Sequence, residues 1–256
     1  MVEAIMKVSS PYSTTLLKAF DILECFKNDS HEIGLSDIAV KVGLPVSSVH
    51  RIIQSLEFEG LLLQNPENKK YYLGTKLLNF SLKCQAYQKY VDIASKFVDE
   101  LGQLTGETIN LAICSCDNTI HIYRAESHHI LRPTFPLNRP FPAYCTAVGH
   151  IFLSEMSKSA QRWAYANNAD EIGMSEEEFL ALLQNVSKNG YAFDDQNFSA
   201  GLRCVSAPVR LSNGTVIFAL SISAPCARMN DTAYENARQL VVKYAALISS
   251  EIQAAE

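Results

Sequence analysis

The sequence predicts an α+β protein with a small N-terminal helical unit, a long linking helix and a larger C-terminal unit. Two observations support this fold class. Apolar residues recur at helical spacing in three short segments before residue 57. After residue 105, strand-like runs face each other across short polar turns, with helical patterns between and after them. Strands that pair as hairpins, with helices grouped beside them, favour an antiparallel or mixed sheet.

Three helices are predicted in the N-terminal unit. The first covers residues 15–26, and the apolar residues on its shared face are Leu16, Ala19, Phe20, Leu23 and Phe26. A second pattern runs from Leu35 to Val42 and stops at Gly43, because glycine readily adopts the left-handed backbone that ends a helix. A third begins after Pro45, and its apolar stripe consists of Val49, Ile52, Ile53 and Leu56. The three helices would share one core.

A β-hairpin is predicted after the third helix. Leu61–Leu63 and Tyr71–Leu73 flank the polar, turn-rich residues 64–70. Two short helices joined at a glycine are also compatible with an ordinary helical bundle. With the hairpin added, the pattern becomes a helix-turn-helix followed by a wing, which is typical of DNA-binding domains.

The polar side chains of the third helix have the chemistry that DNA contact requires. Hydroxyl, amide and guanidinium groups near the start of a helix can reach phosphates and base edges when the apolar face holds the helix against its domain. The wing lysines could touch phosphates, and a solvated turn is an equal alternative for them. The predicted DNA-contacting residues are Ser36, Val46, Ser47, Ser48, His50, Arg51, Gln54, Lys69 and Lys70.

Composition limits how and where the protein acts. With 48% hydrophobic and 19% charged residues, the chain can bury an ordinary core. Residues 11–76 carry seven Lys/Arg and eight Asp/Glu, a net charge of −1, which argues against a nonspecific DNA coater but allows a site-specific dimer. No apolar run is long enough for a membrane span and no signal peptide is evident, so we expect a cytoplasmic protein with no membrane partner. Seven irregularly spaced cysteines favour reduced thiols.

The remaining elements complete a two-domain organisation. A proline-free helical pattern runs from Lys76 to Leu104, and we assign residues 11–76 to the first domain and 77–256 to the linker helix and the second. Strands are predicted at 108–114, 119–125, 130–135, 203–210 and 215–223. Helices are predicted at 146–156, 175–189 and 231–252.

From about residue 14 to residue 252 the chain resembles the IclR family of bacterial transcriptional regulators. The matching segments, in the family's order and spacing, are LLKAFDILECF, LSDIAVKVGLPVSSVHRIIQSLEFEGLL, YYLGTKLL, TGETINLAI, PAYCTAVGHIFLSEM, NGYAFDD, AGLRCVSAPV and ALSISAP. The resemblance implies an N-terminal winged helix and a C-terminal GAF-like domain that binds a small effector, usually an organic, aromatic or sugar acid. It also implies a homodimer, often paired into a tetramer on DNA.

The chain departs from the family pattern at two places. Gln196 and Asn197 stand where the family typically has an acidic pair, which makes the rim of the implied pocket less acidic. His150 stands where lysine typically follows the glycine of the TAVG segment, at a helix start. Both departures bear on the class of effector more than on the fold.

The resemblance also implies the residues that contact the effector: Ile130, Pro133, Ala147, Val148, Asp194, Leu202, Cys204, Ser221 and Ser223. Physical reasoning supports several of them. Ser221 and Ser223 alternate on a predicted strand and point to one face. Backbone N–H groups at the start of the helix near residue 146 could receive a carboxylate, and ionised Asp194 could accept from a hydroxyl. Together they predict a hydroxylated carboxylate effector and no cofactor.

Each of these positions also has a purely structural interpretation. The two serines could bond neighbouring backbone, Asp194 could cap a turn, and Cys204 could belong to the core. The C-terminal domain could then be a dimerisation platform without a ligand, in which case its interior should be empty or apolar.

A cysteine- or metal-dependent enzyme is the strongest alternative function. Its candidate residues are Cys145 and Cys204 with His121, His128, His129 or His150. No C-x₂-C, H-E-x-x-H or G-x-S-x-G pattern supports it, and the adjacent His128 and His129 would point to opposite faces. Cys114 and Cys116 could share a face but are more typical of packing. We therefore expect a regulator, a repressor rather than an activator, that binds a pseudo-palindromic double-stranded operator through two winged helices about 34 Å apart.

Overall fold

The computed structural model describes residues 13–26, 32–83, 85–115 and 117–256 and divides the chain into two compact units, Met1–Ala86 and Tyr87–Glu256. The helices are α1 (Thr14–Glu24), α2 (Leu35–Val42), α3 (Val46–Phe58), α4 (Lys76–Lys83), α5 (Gln85–Thr105), α6 (Ala147–Ser154), α7 (Lys158–Ile172), α8 (Glu176–Asn189) and α9 (Asp231–Ala254). The strands are β1 (Leu62–Gln64), β2 (Tyr71–Leu73), β3 (Thr108–Ser115), β4 (Asn118–Ala125), β5 (Pro140–Pro142), β6 (Ala192–Asp195), β7 (Leu202–Arg210) and β8 (Val216–Pro225). The α+β class and the α3–β1–β2 arrangement are confirmed.

The N-terminal unit folds around residues that its helical periodicity placed inside. Ile38, Val49 and Ile53 are fully buried beside Leu62 of β1, and burying each such side chain contributes about 1.5–3 kcal/mol. Gly43 ends α2 with φ +65°, a left-handed conformation that suits glycine. The Leu44 N–H then donates to the Ala39 carbonyl at 3.1 Å, which turns the chain toward α3.

Helix α1 buries only part of the face predicted: Ala19, Leu23 and Phe26 pack in the core together with Ile22, which was not predicted there. Leu16 and Phe20 are each 57% exposed, whereas Ile22 is fully buried and Phe26 is 8% exposed. The reason is that apolar residues occupy two faces of this helix, so its periodicity allowed two stripes. Packing against α2 and α3 selects the one that contains Ile22.

The segment predicted as one linking helix is described as two helices. Helices α4 and α5 cover it, and residue 84 between them lies outside the described residues. In α5, Ala94, Val98 and Leu101 are fully buried at helical spacing. This stripe packs against the sheet of the C-terminal unit.

Six antiparallel strands form the sheet of the C-terminal unit, in the order β5-β4-β3-β8-β7-β6. Side chains alternate between its two faces. On one face Ile109, Leu220 and Ile222 pack against α5 and α9. The other face carries several polar residues and is covered in part by α6.

Residues 130–135 do not form the strand that was predicted. Ile130 is fully exposed, and Pro133 and Pro136 have no N–H for a sheet ladder. Three elements were not predicted: α7, β5 and β6. Within the described residues, no helix is both long and apolar enough to cross a membrane.

Candidate DNA interface and effector cavity

Helix α3 presents a buried apolar face and an exposed polar face. Val49 and Ile53 are fully buried and Leu56 is 7% exposed. On the outer side the polar residues Ser47, His50, Arg51 and Gln54 are exposed, Val46 is 48% exposed, and Ser48 is half-buried. Ser36 is exposed on α2. The predicted contact set on these two helices is therefore available to a partner.

The hairpin β1–β2 forms a wing with a rigid tip. Leu62 pairs with Leu73, and Gln64 with Tyr71. Lys69 has φ +60°, a left-handed conformation held in place because the Gln64 amide donates to its carbonyl at 3.0 Å. Lys69 and Lys70 are both exposed. Their ammonium groups thus lie at the outer end of the wing, where the sequence pattern placed them.

A small cavity lies in the C-terminal unit against the polar face of the sheet. Its volume is about 30 Å³, and the empty space is about 350 Å³ when the open solvent at its mouth is included. Its surface is mostly apolar, and it is formed by hydroxyl, thiol and carboxylate side chains on the sheet side (its floor), one helix start and an aromatic wall. The lining residues are His121, Phe135, Phe141, Thr146, Ala147, Val148, Asp194, Phe198, Cys204, Ser221 and Ser223. Six of the nine residues implied by resemblance lie here: Ala147, Val148, Asp194, Cys204, Ser221 and Ser223.

The floor is built from cross-strand neighbours. Ser223 of β8 lies between Thr108 of β3 and Cys204 of β7, and Ser221 occupies the next position on the same face. Both serines are 2% exposed. Ser223 hydrogen-bonds with the Cys204 side chain, and burial raises the pKa of that thiol to about 12. Hydroxyls and a protonated thiol are therefore held at this surface.

The start of α6 closes one side of the cavity. The Thr146 side chain accepts from the Gly149 N–H at 3.0 Å and caps the helix. The N–H groups of Ala147 and Val148 belong to the first turn, which has no acceptor within a helix. Gly149 permits this placement, because a Cβ there would lie 2.0 Å from the Ala143 carbonyl oxygen. The helix start can thus receive an anion.

Asp194 is fully buried and holds the loop that follows β6. Its carboxylate accepts from the Asn197 N–H at 2.9 Å and from the Phe198 N–H at 3.4 Å. Burial outweighs these bonds and raises the pKa of Asp194. The turn-capping interpretation is therefore correct in part, and it has a consequence for the cavity because the capped loop carries Phe198 into the wall.

Aromatic rings from three segments form the outer wall. The ring centroids of Phe135 and Phe198 are 5.6 Å apart, those of Phe141 and Phe198 are 5.8 Å apart, and both Phe135 and Phe141 lie 5.5 Å from His121. Burial and the nearby charge of Arg124 lower the pKa of His121 to about 4, so its ring is neutral near pH 7. The sequence analysis missed this wall. Its only hint was phenylalanine beside proline at positions 135 and 141.

Three implied effector residues do not line the cavity. Ile130 is exposed, Pro133 accepts a hydrogen bond from the Thr108 hydroxyl at 3.4 Å, and Leu202 is buried in the sheet. Ile130 and Pro133 lie in the segment whose predicted strand is absent, and the roles implied for all three residues stay predictions. Of the family departures, His150 is buried in α6 with Nε2 2.7 Å from the Tyr144 carbonyl. Gln196 and Asn197 lie in the loop beside Phe198 and not on the cavity lining.

The thiols do not have the properties of nucleophiles. Burial raises the pKa of Cys145 to about 11, with the charge of Asp194 as a second cause, and a protonated thiol is a weak nucleophile. His128 and His129 are exposed. Among the described residues no group of three or more His, Cys, Asp or Glu could hold a metal ion. Cys25, Cys145, Cys204 and Cys226 are free thiols, and Cys116 lies outside the described residues.

Comparison with known proteins places the chain in one family. Residues 15–66 match the IclR helix-turn-helix domain, and residues 86–250 match the bacterial transcriptional regulator IclR C-terminal domain. The HTH-type transcriptional regulator KdgR of Escherichia coli is 32% identical over 225 residues, 85% of this chain and 84% of that protein. The transcriptional repressor IclR of the same species is 24% identical, over 90% of this chain and 87% of the repressor.

A solved structure shares the fold. The crystal structure of an IclR homolog complexed with 4-hydroxybenzoate from Microbacterium hydrocarbonoxydans has a TM-score of 0.74, with 21% identity over 94% of this chain and 100% of that one. The two domain matches together extend over both units. The chain therefore belongs to the IclR family of bacterial transcriptional regulators, with a DNA-binding helix-turn-helix domain and a C-terminal effector-binding domain, and it is a regulator rather than an enzyme.

Proposed function

We propose that this protein is a repressor that binds a pseudo-palindromic operator as a homodimer, or as a pair of dimers, and releases it when a hydroxylated carboxylate fills the C-terminal cavity. The observation that carries the proposal is the composition of that cavity. The Ser221 and Ser223 hydroxyls and the Asp194 carboxylate lie on its lining, where a ligand hydroxyl could hydrogen-bond to them.

The DNA-binding half of the proposal rests on α3 and the wing. Residues 11–76 would form the DNA-binding domain, with Arg51, His50 and Gln54 directed at base edges and phosphates. Lys69 and Lys70 would contact the phosphate backbone beside the groove. A dimer is proposed because two such helices are needed to read two half-sites in successive major grooves.

The effector half rests on complementary chemistry within one cavity. The start of α6 offers N–H groups to a carboxylate, Ser221, Ser223 and Asp194 offer partners to hydroxyls, and the phenylalanine wall can cover a carbon skeleton. The Microbacterium homolog binds 4-hydroxybenzoate, which has one carboxylate and one hydroxyl. The sense of regulation is proposed by analogy with the Escherichia coli repressor.

Release of DNA requires that the effector bind two arrangements of the protein with different affinities. The effector can shift the protein away from its DNA-binding arrangement only if it binds another arrangement more tightly. We assign the segment 76–104 as the connection through which this difference is transmitted. It joins the two units in the chain.

The test combines thermal shift and DNA binding on the full chain. Sugar acids, 2-oxo acids and aromatic acids are screened for a saturable rise in melting temperature, since a specific ligand stabilises by RT ln(1 + [L]/Kd). Operator DNA is selected from a random pool and its affinity is measured by fluorescence anisotropy with and without each stabilising acid. A stabilising acid that weakens operator binding supports the proposal. If every acid leaves both quantities unchanged, the effector proposal fails.

A variant pair assigns the response to the cavity. Ser221→Ala should weaken the stabilising acid by about 1.5–3 kcal/mol, the value of one hydrogen bond to a charged group, and leave DNA binding by the free protein unchanged. Asp194→Asn removes the charge and should moderately lower the affinity for the acid. Ser187→Ala on the exposed side of α8 is the matched control. Parent-like responses from both cavity variants would show that the acid binds elsewhere.

A further inference from the structure

Two buried donors beside the cavity floor have no acceptor in the described part of the chain. Asn110 is fully buried, and its Nδ2 atom makes no hydrogen bond. The Nη2 atom of Arg124 is also buried and unpaired. Natural proteins rarely leave such groups unsatisfied, because each costs about 1–3 kcal/mol and charged groups cost more. An acceptor from outside the chain would remove this cost.

The register of the sheet places these donors next to the cavity. Arg124 of β4, Asn110 of β3 and Ser221 of β8 are consecutive cross-strand partners and share one face. His121 on β4 and Ser221 on β8 both line the cavity, so Asn110 lies on the strand between two lining residues. The Arg124 guanidinium lies over the ring of Phe135, 6.0 Å from its centroid, and that ring belongs to the aromatic wall.

Arg124 differs from six other arginines of this unit because no carboxylate among the described residues pairs with it. The arginines that do form ion pairs are Arg132, Arg162, Arg203, Arg210, Arg228 and Arg238. The acid closest in sequence to Arg124 is Glu126, which pairs with Arg132. Burial lowers the pKa of the Arg124 guanidinium, as expected for a desolvated cation without a carboxylate partner. The charge of Glu126 offsets part of this effect, but among the described residues no carboxylate forms a close ion pair with Arg124.

The two side chains are hydrogen-bonded to each other, and this bond does not use the Arg124 Nη2 or Asn110 Nδ2 donor. The Nε atom of Arg124 donates to the Asn110 side-chain oxygen at 2.8 Å. This bond uses the one acceptor of the amide and fixes the guanidinium beside it. The Arg124 Nη2 and Asn110 Nδ2 atoms remain without an acceptor among the described residues, on two side chains that are hydrogen-bonded to each other. Two such donors could each give one hydrogen bond to a carboxylate.

We propose that Arg124 and Asn110 bind a second carboxylate of the effector, so that the ligand is a hydroxylated dicarboxylate with one acid group at the start of α6 and the other on this pair. This inference rests on the proposed effector cavity and narrows its ligand class. In the same row, Ser206 is the partner of Ser221 on β7, and its fully buried hydroxyl has no hydrogen-bond partner among the described residues. The phenylalanine wall would cover the carbon chain between the two ends.

The test uses acid pairs that differ at one end only. Threonate is compared with tartrate, and gluconate with glucarate, each titrated calorimetrically against the full chain. We expect at least one diacid to bind the parent ten-fold or more tightly than its monoacid partner. Arg124→Gln should lower the affinity for that diacid at least ten-fold and change the affinity for the monoacid less than three-fold. Arg124→Lys should restore part of the preference, because it keeps the charge and loses the two-bond geometry.

Controls separate a binding role from a structural one. Arg132→Gln removes a neighbouring exposed guanidinium and should leave both acids unchanged. Equal weakening of mono- and diacid by Arg124→Gln would assign Arg124 to the fold and overturn the inference. Monoacids that bind the protein as tightly as diacids and release operator equally well would also overturn the inference. The proposed function would then still stand. If no acid of either kind binds, the proposed carboxylate effector fails and the inference fails with it.

Discussion

The side-chain amide of Asn65 donates a hydrogen bond to one oxygen of Glu32 at 2.8 Å, and Asn68 donates to the other oxygen at 2.6 Å. One carboxylate outside the hairpin thus ties both ends of the wing turn to the segment before α2. The isolated bridge between Ile33 and Tyr71 adds a backbone connection at the same place. The position of the wing lysines therefore depends on Glu32.

We predict that Glu32→Gln loosens the wing without unfolding its domain, because one of the two acceptor oxygens becomes a donor. Faster amide exchange at residues 65–70 and weaker DNA binding should follow, with Glu67→Gln as the control that makes the same charge change on the exposed turn. The two amides hold the pKa of Glu32 below its ordinary value of 4.5. The tie should therefore persist above pH 4.5 and weaken as pH falls through the lowered pKa. Exchange rates equal to those of the parent would refute the clamp.

Replacing Lys69 and Lys70 by alanine tests whether they touch phosphates. The plot of log K against log salt concentration should become shallower by about one unit for each lysine that neutralises a phosphate, for specific and nonspecific DNA alike. Alanine keeps the Cβ atom, so the left-handed backbone at Lys69 is no more strained than before. Lys158→Ala with Lys188→Ala, two exposed positions on α7 and α8, is the charge-matched control. An unaltered slope would indicate that these lysines lie in a solvated turn and do not contact phosphates.

Arg51 is exposed one turn into α3, outside its apolar stripe. Arg51→Ala should weaken operator binding by about 1–3 kcal/mol and leave the melting temperature unchanged. A lowered melting temperature would instead assign the side chain to the fold. The same affinity as the parent, in a folded variant, would remove Arg51 from the interface.

We predict that the buried His121 makes the C-terminal unit less stable as the pH falls. Its pKa falls from an ordinary 6.5 to about 4 because the ring is buried beside Arg124. Between these values the unfolded chain binds more protons than the folded one, so stability is lost as pH falls from about 6.5 toward 4. The loss is at most about 3.4 kcal/mol, since the pKa difference is about 2.5 units and each unit is worth about 1.36 kcal/mol. Asp194, with a raised pKa, opposes this trend.

Thermal melts of the parent and of His121→Gln between pH 4.5 and pH 7 isolate the histidine, because Asp194 contributes to both proteins. We expect the stability difference between them to shrink or reverse as pH falls. A constant difference across this range would mean that His121 titrates near its ordinary pKa.

The helix-turn-helix was predictable because its information is local. The stripe of α3 and the stop at Gly43 lie within a few residues, and their periodicity identifies the buried face directly. Helix α1 was ambiguous for the same physical reason, since apolar residues on two faces give no unique stripe. Helix α7 was missed because its described buried residues are only Gln161 and Ala164, so no apolar period marks it.

The cavity was predictable only on its sheet and helix side. Alternation on β8 brings Ser221 and Ser223 to one face without reference to other strands. The aromatic wall depends on how three separate segments fold back, and single-sequence periodicity does not contain that information. Arg124 was not identified because its significance lies in one Nη2 atom that has no acceptor among the described residues, and this becomes visible only when the surrounding side chains are in place.

The proposed function depends on a change in operator affinity when the C-terminal cavity is filled. It is tested most directly by the anisotropy of labelled operator bound to the full chain, titrated with an acid that stabilises the protein, for the parent and for Ser221→Ala. We predict that the acid weakens operator binding by the parent at least ten-fold and that Ser221→Ala needs about ten-fold more acid for the same release, in line with about 1.5 kcal/mol. Operator affinity that stays the same at saturating acid would contradict the account.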